Sequence, residues 1–182
     1  MGSHKVEVLM MTLDEAKIIY KKNNCSLFVM AREDLQNYIA YKNLNIEKKL
    51  EMRWKGEMIE ELANRLKENG DYRIFNQLYD LTESFHDSQM LKLMIESIKD
   101  IKIEDENISL SIAETIMGRK MISVRSGMIF WAYDIGAKKE TFKLIEKAMS
   151  FIDVKTDSEE LRDRAFRDKK NINEIIDVLG LR

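Results

Sequence analysis

The stretch IEKKLEMRWKGEMIEELANRLKENG, residues 46–70, carries an apolar side chain at every fourth position: Ile46, Leu50, Trp54, Met58, Leu62 and Leu66. A step of four keeps side chains on one stripe of an α-helix, and Ile59 and Ala63 widen that stripe. The spacing predicts a single long helix from about Ile46 to Asn69. Gly70 stops it, and Asp71 is placed to cap the next one.

Toward the N-terminus, Thr12-Leu13-Asp14-Glu15 reads as a capping box, in which the threonine hydroxyl and the glutamate each satisfy an early backbone N–H. The helix it opens runs to Asn23-Asn24, where asparagine tolerates the left-handed conformation of a helix end. A second helix lies within Leu27 to Leu44, with Leu35, Tyr38, Ile39 and Tyr41 on its expected buried side. Toward the C-terminus, helix starts are expected near Asp71, Asp87-Ser88, Asp105, Met121, Ala137, Asp157 and Asn171. Most steps are 16 to 18 residues, so a helix pair recurs at about 34. Expected core faces are Phe75, Leu78, Tyr79, Thr82, then Leu91, Met94, Ile95, Ile98, then Ile108, Ile112, Ala113, Ile116. Val124, Met128, Trp131, Ala132, Ile135 and Phe142, Ile145, Ala148, Met149, Ile152 complete the set.

Composition agrees with an all-α chain. Proline, which blocks helix interiors, is absent. A chain of 182 residues suits one domain and buries roughly 70% of its unfolded surface, without needing a metal or disulfide to fold. The expected domain spans residues 11–182, with N-terminal helices over 11–70 and short helix pairs over 71–182. Residues 1–10 begin with Met1-Gly2-Ser3-His4, which reads as a cloning scar, and the native start is expected as late as Met10 or Met11. The net charge of −2 supplies no global field to draw nucleic acid or an anionic membrane. Cys25 is the sole cysteine, so no internal disulfide can form and a reducing, cytoplasmic setting is expected. No apolar run is long enough to span a bilayer, and none follows the start as a signal peptide would.

Through its 34-residue period the segment 71–182 resembles TPR- and HEAT-like superhelices, which implies stacked antiparallel helix pairs in an α-α superhelix. The TPR consensus of Trp, Leu-Gly, Tyr and Pro is missing, and an irregular helical bundle stands as the alternative. The string Cys25 to Glu33, followed by Tyr38, Tyr41, Leu44, Ile46 and Trp54, also resembles a pattern in small bacterial helical proteins of unassigned function. That resemblance implies no activity.

No catalytic set assembles from the sequence. A Cys25–His86 dyad lacks an adjacent group to stabilise the thiolate, and Cys25 reads as a core residue. Glu83-Ser84-Phe85-His86 fits one half of a di-iron motif, with no second native histidine to complete it. Zinc lacks ligands for the same reason, and the run Asp100, Glu104, Asp105, Glu106 lacks the glycine and terminal glutamate of a calcium loop. No glycine-rich phosphate loop is present. The expectation is therefore a non-enzymatic protein without cofactor or metal.

Two constellations point to binding. Arg119, Lys120, Arg125, Phe130, Trp131 and Tyr133 mix cations with aromatics, the composition of interface hot spots. Arg162, Arg164, Arg167, Lys169 and Lys170 precede a helix-and-glycine ending, Asn173 to Leu181, that resembles the first half of a helix-turn-helix; the recognition helix that would follow the turn is missing. Twelve methionines can fill an irregular core or line an adaptable groove. The expected function is a bacterial protein–protein interaction module (adaptor, regulator or neutralising partner) that takes another protein or an amphipathic helix, with a homodimer as a further form. Arg32, Trp54, Arg119, Arg125 and Tyr133 are its candidate partner residues. The alternative is a nucleic-acid-binding regulator using Arg162, Arg164, Arg167 and Lys169. No membrane association is expected.

Overall fold

The computed structural model describes residues 11–83, 88–118 and 127–181. Among them the protein is all-α: α1 (Leu13–Lys22), α2 (Leu27–Glu33), α3 (Leu35–Asn43), α4 (Lys48–Asn69), α5 (Tyr72–Glu83), α6 (Ser88–Ile98), α7 (Glu106–Met117), α8 (Met128–Asp134), α9 (Lys138–Ile152) and α10 (Glu159–Val178). Contacts divide the chain inside α4 into two compact units, Met1–Met58 and Ile59–Arg182. The sequence places the change of character at Gly70 instead.

In the first unit the Thr12 capping box forms as expected, with reciprocal bonds between Thr12 and Glu15. α1 ends with Asn24 at φ +50°, the Asn24 N–H bonding the Lys21 carbonyl and the Cys25 N–H the Tyr20 carbonyl. That pair of bonds is the Schellman arrangement, which satisfies carbonyls left over at a helix end. The expected second helix is two helices. Asp34, extended at φ −148° and ψ 76°, ends α2 and caps α3, its side chain accepting from the Asn37 N–H at 3.1 Å.

Tyr20 and Tyr41 stack in the core of this unit at 5.4 Å, and Trp54 packs on Tyr20 at 6.1 Å, with Ala16, Met30 and Ala40 also buried. Leu35 and Ile39, expected inside, are 60% and 49% exposed. The reason is competition between two sides of a nine-residue helix. α3 turns Ala40 and Tyr41 inward, and Tyr41 gains both the stack and a hydrogen bond from its hydroxyl to Glu51 at 2.9 Å.

The second unit buries Ile59, Leu62, Ala63 and Leu66 of the long helix with Phe75, Leu78, Leu91, Met94, Ile95, Ile98, Ile112, Ala113 and Ile116. α9 packs on α6, α7, α8 and α10, and α7 packs on α5 and α10 as well. In a solenoid each repeat touches only its neighbours, whereas here α6 reaches α9 past the pair between them. The helix expected to start at Asn171 does not exist: α10 runs unbroken from Glu159 to Val178. The expected helix pairing therefore does not continue through Asn171, and the helix contacts of the second unit are consistent with a helical bundle and do not show a solenoid. Phe142 and Met149 were expected in the core and are 46% and 50% exposed. They lie seven residues apart, off the face on which Thr141, Leu144, Ile145, Ala148, Phe151 and Ile152 are buried. The expected start at Met121, and Val124 with it, lies outside the described residues.

Candidate interaction face

Ser26 opens α2 by accepting from the Val29 N–H. Phe28 and Arg32 then fall four residues apart on one side of that helix. Leu35 and Ile39 repeat the spacing on α3, which packs against α2. Met30 and Tyr41 anchor the pair to the core, leaving Phe28 of α2 75% exposed, with Leu35 and Ile39 of α3 exposed as well. Three large apolar side chains thus stand in water within twelve residues of chain. Single exposed apolar residues are ordinary, but a concentration of them is the usual mark of a contact surface. Arg32 accompanies them, also exposed, and its guanidinium donates to Glu33 at 2.7 Å.

The other candidates fall elsewhere. Trp54 is 3% exposed, packed on Tyr20, so its indole holds the first unit together and is no surface contact. Arg119 and Arg125 lie outside the described residues, as does His86. Tyr133 is half-buried on α8. Cys25 is buried with its Sγ 3.5 Å from the Met58 Sδ, in a sulfur contact rather than an exposed nucleophilic site. Among the described residues no group of three or more His, Cys, Asp or Glu side chains could hold a metal ion, and no helix is long and apolar enough to cross a membrane.

The four basic residues of α10 do not make one patch. Arg164 turns inward to α7, where Nε donates to Glu114 Oε1 at 2.7 Å and Nη2 to Glu114 Oε2 and Ser111 Oγ at 2.9 Å. The bond to Glu114 raises its pKa, against the opposing effect of burial. Lys169 pairs with Asp153 at 3.6 Å. Arg162 and Arg167 are exposed.

A groove of about 1100 Å³ lies in the second unit, lined by the end of α6, the segment before α7 and the later part of α9. Its cations face its own acceptors. Lys147 donates to the carbonyls of Lys99 (3.0 Å) and Ile101 (2.8 Å), with Nζ 4.6 Å from the centre of the Phe151 ring. Lys143 and Lys99 both pair with Glu96. Burial lowers the pKa of Lys147, which Asp100 partly offsets. Five lysines and six carboxylates line the groove, so it favours neither sign of ligand.

Comparison with protein-family models, curated proteins and solved structures finds no match to this chain.

Sequence reasoning misses the apolar face on α2 and α3 because Leu35, Tyr38, Ile39 and Tyr41 all read as one buried side. The signal was present. Four large apolar residues within seven positions cover more than one side of a short helix, so part of them had to remain outside.

Proposed function

We propose that this protein is a non-enzymatic protein-interaction module whose contact face is the exposed side of α2 and α3. The exposure of Phe28, Leu35 and Ile39 supports this reading. A partner covering three such side chains gains roughly 1.5 to 3 kcal/mol for each one fully buried. Arg32, at the edge of the apolar residues, suits an aromatic-and-arginine hot spot. The partner's contact surface is apolar with an acidic rim, as on an amphipathic helix; a second copy of the chain is the other form such a partner can take. A sole, buried Cys25 fits a reducing cytoplasmic setting, and the resemblance of this segment to bacterial helical proteins points to a bacterial adaptor or regulator.

The test compares wild-type protein with Phe28→Ser and Leu35→Ser as baits, after circular dichroism and melting show both variants folded. Phe166→Ser, on α10, serves as a control at another exposed aromatic. A stoichiometric protein lost from both α2–α3 variants but kept by the control supports the face. Retention by all baits sinks it, and so does a bait that holds only nucleic acid. Sedimentation of the same proteins decides self-association: a dimer that Phe28→Ser makes monomeric identifies the partner as a second copy.

A further inference from the structure

Asp168 sits on the inner side of α10, one turn after Arg164 and four residues before Ile172, and is 4% exposed. Its Oδ2 meets no hydrogen-bond donor among the described residues. Arg164 is the natural candidate to serve it, yet that guanidinium is engaged by Glu114, Ser111 and Asn107 of α7. An ionised carboxylate with a buried oxygen that no donor serves is far costlier than the neutral acid in the same place.

The charges around it act in opposite directions. Glu114, facing it from α7, repels the ionised form, while Arg164 and Arg167 on its own helix favour that form. On the α9 side Asp153 pairs with Lys169 rather than with Asp168. Tyr72 of α5 acts on Arg164.

We propose that Asp168 makes the seating of α10 on α7 and α9 a proton-linked step, tight when the carboxyl is neutral and loosened when it ionises. Seating takes one proton from solvent onto the Asp168 carboxyl, and release returns it. Loosening bares the buried Ala165 and Ile172 of α10 and Leu179 just after it, so the step controls access to an apolar surface other than that on α2 and α3. The direction follows from the carboxyl's two environments. Burial first, then Glu114, raise its pKa from 3.8 to about 6 in the seated helix. A raised acid pKa means seating is fully supported below 3.8 and is progressively lost as pH rises through about 6. Between about pH 5 and about pH 7.5 the seating equilibrium falls roughly tenfold.

Hydrogen exchange of α10 amides across that range, corrected for the intrinsic rate and referenced to α9, reads the equilibrium directly. Wild-type protection of α10 is expected to drop roughly tenfold toward the higher pH, and Asp168→Asn, which cannot ionise, is expected to abolish the dependence. Arg167→Gln changes an exposed residue that favours the ionised form, so it moves the midpoint to higher pH. If Asp168→Asn does not fold, that midpoint decides alone. A flat wild-type profile overturns the proposal, as does a slope retained in Asp168→Asn or a midpoint unmoved by Arg167→Gln.

Discussion

Gly127 stands at φ +121°, and a Cβ placed on it would lie 2.5 Å from the Gly118 backbone nitrogen. Neither the dihedral nor the backbone contact can relax by moving a flexible side chain. Gly127→Ala is therefore expected to destabilise the protein by roughly 3 kcal/mol, read from urea denaturation. Gly136 gives the contrast. It also has positive φ, +74°, but nothing lies within 4 Å of its would-be Cβ. Gly136→Ala is expected to cost only the left-handed backbone penalty, about 1 kcal/mol. Trp54→Ala removes a core indole and is expected to cost roughly 3 to 5 kcal/mol, with loss of the first unit's structure by circular dichroism. If that variant instead keeps its melting temperature, Trp54 is not the core residue that its contacts with Tyr20 indicate. Residue-scale reading of the sequence succeeded where chemistry is local, as in the Thr12 box and the Asn24 helix end. It failed where two apolar sides competed, because Leu35 and Tyr41 look alike until Tyr20 selects one of them.

Single polar residues decide where one helix becomes two. Asp34 separates α2 from α3 by accepting from the Asn37 N–H while its own backbone is extended. Asp34→Ala is expected to lower stability by about 1 kcal/mol and to reduce protection of the first α3 amides. Unchanged exchange there would show that packing alone sets the break. The same signal misleads at the other end of the chain. Asn171 has the residue type of a helix start, yet it stands in the middle of α10. Helix interiors tolerate asparagine at small cost, and burial of Ala165, Asp168 and Ile172 along one side carries α10 through it. A start signal read without that inner stripe over-divides the helix. The period of about 34 residues, drawn from the starts between Asp71 and Ala137, therefore does not extend through a further helix at Asn171.

For the molecule as a whole, the all-α class was legible from proline content and four-residue spacing, whereas the packing order was not. Periodicity tells which side of a helix is buried but not which helix covers it; nothing local links α6 to α9 or α7 to α10. The division into units was hidden for a related reason. It falls within an uninterrupted helix, while the sequence offers Gly70, a plain helix end. A fragment starting at Ile59 keeps Ile59, Leu62, Ala63 and Leu66, all 4% exposed or less. One starting at Asp71 loses all four. The shorter fragment is expected to be less stable by at least about 4 kcal/mol, seen as an earlier melting transition. Equal melting of the two would assign that half of α4 to the first unit.

The meeting of Gly118 and Gly127 has one more consequence. A Cβ on Gly127 would lie 2.5 to 2.7 Å from backbone atoms of Gly118 and Met117, so the residue that precedes α8 is held directly against the end of α7. Codon 127 is therefore one at which any change to another amino acid has to push the end of α7 away from the start of α8.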